Sequence, residues 1–268
     1  MYVTLRREIE VKEITLGRGG FGDVVKITRP DGLVVARKTL RLNPLEDNSK
    51  LIRRFKREVS YQKKLHSKNI VPILYSDLDS EPPFFDMPLA TCDLGRELKS
   101  AKELGVNLKI YIFLCALSGV EHIHMRQQLH RDIKPENLLR FDYPDGSYIY
   151  KLSDLGLISP AKGSVTTNIT GAGGGFGTDQ FLAREVYLRG FEAATVQSDI
   201  YSLGVLLFYL FGSKEEINSS LPYSTRQTSH LMGNVISKCT ADAPSHRYEN
   251  IAALRSDFIL FAARLLGV

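Results

Sequence analysis

The feature that narrows the fold most is a change in the kind of segment along the chain. Up to about residue 90 the sequence is dominated by β-rich runs with one amphipathic helical stretch among them; from Leu94 onward it turns helical. A β-rich piece followed by an α-rich piece predicts an α+β protein. The chain has 268 residues, more than one small core needs, so the expectation is one large domain or two lobes sharing a cleft. The division is drawn at 1–88 for the β-rich lobe and 89–268 for the helical one.

Local signals fill this in. Two β-rich runs over 10–42 are joined by Pro30-Asp31-Gly32, a turn signal. In the second run the strand period puts Val34, Ala36, Lys38 and Leu40 on one face and Leu33, Val35, Arg37 and Thr39 on the other. Lys38 therefore shares a face with small and apolar residues and needs an anionic partner. A helix is predicted over 50–66, with Leu51, Phe55, Val59 and Leu65 as its apolar stripe and Glu58 at the stripe's edge. An inward acid on that helix and an inward lysine on the strand could pair. Two further strands are read over 69–78 and 83–90, helices over 94–104 and 106–125, and a hairpin of 138–141 with 148–153 around YPDGS. Residues 154–185 read as a loop rich in Gly, Ser and Thr, and the remainder as helical, with an apolar run over 203–212 as its core.

Charge and cysteine content exclude several classes. The net charge is +5, and much of the excess lies over 50–68, where apolar residues interleave the charges at helical spacing. That is the pattern of a solvated helix face, so no nucleic-acid partner is expected. The three cysteines, Cys92, Cys115 and Cys239, form no C-x-x-C pair. They argue against a disulfide framework or a zinc site and suit a reducing cytoplasm. The apolar run over 203–212 is too short to span a bilayer, and no membrane segment is expected.

The chemistry sits in short motifs. GRGGFGDV carries Gly17, Gly19, Gly22 and Val24 as G-x-G-x-x-G-x-V. A dinucleotide-binding fold uses the same glycine spacing but runs from a strand into a helix; here the glycines lead into DVVKIT, a second strand. Strand, glycine turn, strand makes a flap whose backbone N–H groups can lie over phosphates. HRDIKPENLL, residues 130–139, crowds polar side chains between apolar flanks, and SDLGL at 153–157 ends a strand with an aspartate before a glycine turn. Each motif alone is ordinary. Their order is not: glycine flap, V-A-x-K, helical Glu, H-R-D-x-K-x-x-N, D-x-G and A-x-E follow one another with sensible gaps.

In that order the chain resembles the eukaryotic-type serine/threonine protein kinase family over about residues 10–265. The resemblance implies a single kinase domain over 1–268, two-lobed, with a small antiparallel sheet plus one helix and a larger mainly helical lobe. It implies transfer of the γ-phosphoryl of Mg-ATP, with Mn²⁺ as a possible substitute, to protein hydroxyls. Lys38 would contact the α- and β-phosphates and Glu58 would hold Lys38. Asp132 would accept the substrate hydroxyl's proton, and Lys134 would neutralise the transferring group. Asn137 and Asp154 would hold the metal. Val24 and Ala36 would sandwich the adenine. Met87, Leu89, Ala90, Asp93 and Leu139 complete the expected nucleotide contacts, with Met87 as gatekeeper, the purine bonding near Leu89 and Ala90, and Asp93 near the ribose. The groups of Lys38, Asp132 and Asp154 are expected around one nucleotide triphosphate.

Further carry-overs concern the frame. His130 would be a packed scaffold residue, Asp199 an anchor for the catalytic-loop backbone, and Glu185 the partner of Arg247. Thr178 fits a threonine that touches the catalytic loop in serine/threonine enzymes. Arg131 would meet a phosphate on the activation loop, with self-association for autophosphorylation in trans at Thr167 or Thr170; Ser164 and Thr166 are further candidates. Several positions depart from the family pattern: Leu155 for the Phe of D-F-G, Arg184 for the Pro of A-P-E, Asp179 where Pro is common, Gln62 for an apolar residue, and Tyr201 for Trp. These departures keep two competitors in view, a binding or scaffold module of pseudokinase type and a small-molecule kinase of related fold.

Overall fold

The computed structural model describes residues 14–18, 22–100, 103–155, 159–160, 179–212 and 232–268. The chain divides into two units, one made of residues up to Ser60 with Pro72–Leu89, the other of Tyr61–Val71 with Ala90–Val268. The α+β class holds: the first unit is an antiparallel sheet with one helix, the second mainly helices.

In the first unit β1 (Ile14–Arg18), β2 (Gly22–Thr28), β3 (Val34–Leu40), β4 (Tyr75–Asp77) and β5 (Phe84–Pro88) form a five-stranded sheet in the order β1-β2-β3-β5-β4. The turn at Pro30-Asp31-Gly32 closes β2 onto β3, with the Gly32 N–H donating to the Arg29 carbonyl at 2.9 Å. Ala36, Lys38 and Leu40 are buried and Arg37 and Thr39 are half-buried, as strand period requires. Val34 and Val35 break the alternation, the first exposed and the second buried. Helix α1 (Ser49–Gln62) packs Phe55 against Phe85 of β5, ring centroids 5.5 Å apart, with Val59 fully buried beside them.

Two expectations need correction. The helix predicted over 50–66 ends at Gln62: the N–H groups of Lys64 and Leu65 turn back to carbonyls three residues earlier, and Gln62 Nε2 donates to the Val71 carbonyl at 2.8 Å. The strand predicted over 69–78 shrinks to β4. Pro72 offers no N–H to a ladder, and the residues before it pair elsewhere. The Val71 N–H donates to the Leu152 carbonyl, the Leu152 N–H to the Asn69 carbonyl, and Asn69 Nδ2 to the Tyr150 carbonyl. These bonds tie 61–71 to the second unit, so a single cut at 88/89 does not describe the division. Residue pattern could not reveal it, because it depends on which distant backbone supplies the partners.

The second unit contains β6 (Cys92–Asp93), α2 (Leu94–Ser100), α3 (Val106–His124), β7 (Gln128–Leu129), a 3₁₀ turn at Pro135–Asn137, β8 (Leu138–Asp142), β9 (Tyr148–Leu152) and β10 (Ser159–Pro160). After a second 3₁₀ turn at Asp179–Phe181 come α4 (Arg184–Arg189), α5 (Val196–Phe211), α6 (Gly233–Cys239) and α7 (Ile251–Leu266). The hairpin of β8 and β9 is the predicted one; pairing of β6 with β8 and of β7 with β10 was not foreseen. Helix α5 lies in the core, and Gly204 lets it approach α6, since a Cβ there would stand 2.3 Å from the Cys239 Cβ. Helix α3 has 19 residues and is long and apolar enough to cross a membrane by length and composition alone. Here it is a core helix: Ile112, Phe113, Ala116, Leu117 and Val120 are fully buried, and Phe113 meets Phe258 of α7 at 4.6 Å.

Candidate active site

The groups on the first unit are set by the sheet. Gly22 opens β2 opposite Leu40, and its backbone approaches β3 so closely that a Cβ would lie 2.4 Å from the Thr39 carbonyl oxygen. Only glycine permits that approach. Val24 pairs with Lys38 in register, and Ala36 with Met87. Ala36 and Met87 are buried and Val24 is half-buried. Lys38 Nζ donates to Glu58 Oε1 at 2.8 Å, both side chains at most 10% exposed. The predicted inward lysine and inward glutamate are thus brought together. An isolated buried ammonium would be strongly disfavoured, and the carboxylate compensates it. Gly17 lies on β1; Gly19 lies outside the described residues.

On the second unit the polar cluster after β7 folds around one carboxylate. Lys134 Nζ donates to both oxygens of Asp132 at 2.9 Å. Asn137 Nδ2 donates to Asp132 Oδ2 and to the Asp132 carbonyl, each at 2.8 Å. The 3₁₀ turn at Pro135–Asn137 makes this possible by folding Asn137 back, its N–H donating to the Lys134 carbonyl. With Nδ2 committed, the polar atom left on the Asn137 amide is Oδ1, an acceptor. Ser153 steadies the turn, its N–H and hydroxyl both donating to the Asn137 carbonyl. Asp154 follows, exposed and at φ 55. Among the described residues no three His, Cys, Asp or Glu side chains cluster as metal ligands. An amide oxygen and an exposed carboxylate fit a hard divalent cation that takes its other ligands from phosphate and water.

The loop carrying Asp132 hangs from buried groups. The Asp199 carboxylate, in the first turn of α5, accepts the N–H of His130 on Oδ2 at 2.8 Å and the N–H of Arg131 on Oδ1 at 2.9 Å. Its Oδ2 also meets His124 Nε2 at 2.7 Å. Burial works to raise the Asp199 carboxyl; the His124 hydrogen bond, the neighbouring imidazoles and the Arg131 N–H outweigh it and hold it below the usual range. Thr195 and Ser198 close a reciprocal cap that fixes this helix end. His130 is fully buried, and burial pushes its imidazole below the ordinary value. Its Nδ1 accepts the Asp132 N–H at 3.3 Å, so the ring proton sits on Nε2 and His130 acts as scaffold. His124 was missed by sequence reasoning: a histidine near the end of an apolar helix carries no signal of its own.

Other expected positions fall as follows. Glu185 and Arg247 form a two-point ion pair at 2.7 and 2.9 Å, and the Arg247 guanidinium lies over the Tyr201 ring. Leu155 is fully buried in the second unit's core. Arg184 pairs with Asp242 at 3.6 Å. Asp93 caps α2, accepting the Arg96 N–H at 2.9 Å, and pairs in register with half-buried Leu139. Pro88 ends β5, followed by half-buried Leu89 and Ala90. Ser164, Thr166, Thr167, Thr170 and Thr178 lie outside the described residues.

Comparison with known proteins agrees with the α+β class and with the family resemblance. The family model of the protein kinase domain matches residues 10–267. The chain is 29% identical over 284 residues to serine/threonine-protein kinase PknD of Chlamydia caviae, covering 90% of this chain and 30% of that protein. It is 30% identical over 242 residues to serine/threonine-protein kinase PrkC of Bacillus subtilis, covering 83% of this chain and 36% of that one. It thus spans about a third of the length of these relatives. The crystal structure of the PknI kinase domain of Mycobacterium tuberculosis superposes with a TM-score of 0.66 at 19% identity, over 92% of this chain and 94% of that one, a likeness of fold. With a match over nearly its whole length, the chain belongs to the protein kinase family.

Proposed function

We propose that this chain is a serine/threonine protein kinase domain that transfers the γ-phosphoryl of Mg-ATP to hydroxyls of protein substrates. The family brings ATP as donor and a divalent metal; Mg²⁺ is our choice because Asn137 Oδ1 and the Asp154 carboxylate are hard oxygen donors few enough to leave room for phosphate and water. That cation, when bound, compensates charge on the phosphates. The observation that carries the reading is the Asp132 carboxylate held by Lys134 and Asn137.

Each residue has a defined task in this reading. Asp132 Oδ2 is held by two donors and Oδ1 by Lys134. Oδ1 is the oxygen that receives the proton as the substrate hydroxyl attacks phosphorus and the bond to the bridging oxygen of ADP breaks. For the transfer, Lys134 turns its ammonium to the transferring group and frees Oδ1. Lys38, held by Glu58, neutralises the α- and β-phosphates. Little covalent chemistry is asked of the protein; alignment and charge compensation lower the barrier. The names of the relatives support serine and threonine as acceptors. The three free cysteines support a reducing, cytoplasmic setting.

The test is turnover of labelled ATP with a protein mixture, wild type against Asp132→Asn. We expect transfer to protein serine or threonine that falls about a thousandfold or more in the variant. Equal rates would remove the reading. Autophosphorylation in trans at Thr167 or Thr170 belongs to the same proposal; mass spectrometry after incubation with ATP should find phosphate between residues 159 and 178.

A further inference from the structure

One carboxylate ties helix α2 to the β8–β9 hairpin. Glu97 Oε1 accepts Arg140 Nη1 of β8 at 2.8 Å, and Oε2 accepts the Tyr150 hydroxyl of β9 at 2.7 Å. The Glu97 side chain is 11% exposed and Tyr150 is fully buried, so water competes little for these bonds. Burial pushes the Tyr150 phenol up and the Glu97 hydrogen bond adds to the shift, so Tyr150 keeps its proton and donates it. Arg140 is fixed further: its Nε donates to Asp142 Oδ1 at 2.7 Å, and its guanidinium lies 4.5 Å over the Tyr148 ring. Seven residues are too few for a helix to hold by itself, so α2 depends on this tether and on buried Leu94. The tether lies beside two of the expected nucleotide contacts. Asp93 caps α2 and pairs in register with Leu139, as Cys92 does with Arg140. The Thr91 N–H donates to the Arg140 carbonyl at 2.8 Å, and the Asp142 N–H to Thr91 Oγ1 at 3.2 Å. Successive side chains of a strand face opposite ways, so with Arg140 held toward Glu97, Leu139 faces away from it.

We propose that Glu97 is a positioning residue for the nucleotide: by holding Arg140 and Tyr150 it fixes the start of α2 against the β8–β9 hairpin and sets where Asp93 and Leu139 meet ribose and adenine. The inference rests on the kinase reading for its effect on ATP. It does not rest on it for its effect on the segment 91–97. What Glu97 contributes is two oxygens at a fixed spacing, one for each strand of the hairpin. Glutamine keeps that spacing: its Oε1 accepts Arg140, and its Nε2 donates to the Tyr150 oxygen, which can accept as well as donate. Alanine offers neither bond.

Steady-state kinetics and amide exchange test this. Glu97→Ala should raise the KM for ATP about tenfold while kcat per folded molecule stays within roughly threefold. Glu97→Gln should return KM to within about threefold of wild type. A residue that served packing alone would lower stability and leave KM where it was. Hydrogen exchange of the Thr91 amide, followed by NMR on the folded proteins, should speed up about tenfold in Glu97→Ala and stay near wild type in Glu97→Gln. Thermal melts establish that the variants are folded at the assay temperature. Should Glu97→Ala not fold, Tyr150→Phe, which removes one of the two donors, takes its place with a rise in KM of about threefold. A KM for ATP unchanged in the folded variant, or equal in the alanine and glutamine variants, would overturn the proposal, as would unchanged Thr91 exchange. If the wild-type chain transfers no phosphoryl group, the kinase reading falls, and amide exchange alone decides whether Glu97 holds this segment.

Discussion

Two buried ion pairs, one in each unit, are built differently. In the first unit Lys38 meets Glu58 through a compact ammonium, Nζ to Oε1 at 2.8 Å. In the second, Arg247 meets Glu185 through a two-point fork. Arg247 also donates to the carbonyls of Ala241, Gln197 and Asp242, while the Ser198 hydroxyl donates to Glu185 Oε1. The arginine side chain has no exposure at all. A rotatable point charge can exchange one anion for another, whereas a guanidinium whose nitrogens are all committed cannot turn elsewhere. The first pair suits a group that must serve a phosphate. The second suits a frame that must not move.

This contrast can be broken by substitution. The largest effect is expected from Lys38→Met: turnover per folded molecule should fall by about a thousandfold, beside a loss of about 3–5 kcal/mol because Glu58 stays buried without its lysine, read by ATP assay and calorimetry. A large fall in stability with turnover per folded molecule intact would assign Lys38 to the frame instead. Arg247→Ala should cost stability and leave turnover per folded molecule intact. Half-buried Glu185 then keeps only the Ser198 hydroxyl, which costs about 2–4 kcal/mol, or roughly 10 °C in melting temperature, with kcat per folded molecule near wild type. Arg247→Lys sharpens the point, since a lysine cannot reproduce the fork; a loss of about 1–3 kcal/mol by urea denaturation is expected.

Smaller effects follow from protonation. Burial lowers the His130 pKa from 6.5, so below about that pH the unfolded chain takes up a proton that the folded chain refuses. Stability should then fall on acidification, by at most about 1.4 kcal/mol per pH unit from this group. Urea midpoints at roughly pH 7 and 5.5 read this, and His130→Asn should flatten the dependence. Glu185 acts in a lower window. Burial raises its carboxyl, but Arg247, its own backbone N–H and Ser198 together lower it below the ordinary 4.5. Its contribution is complete above that value and disappears as pH falls through the folded-state pKa.

The outcome at Gln62 shows where sequence reasoning stops. A glutamine where the family prefers an apolar residue suggests a loosened helix. The structure buries it and bonds its Nε2 to the Val71 carbonyl, ending α1 there and turning the following segment toward Leu152. Lys38 and Glu58 were legible because each lies on a face that strand or helix period defines. Asp132, Lys134 and Asn137 were legible because their spacing is short enough for one loop to gather them. His124 and Asp199 stand 75 residues apart, and no local pattern joins them.

The residue order thus determined the α+β class, the glycine turn between strands, the inward lysine and glutamate, and the polar loop around Asp132. These depend on side-chain period and on spacings within a turn or two, which a linear string carries directly. Tertiary structure decided which unit takes residues 61–71, where α1 stops, how β6 and β7 find strands, and which buried carboxylate holds the backbone before Asp132. Those outcomes depend on hydrogen-bond partners brought from far along the chain, and only packing of the core helices selects among them.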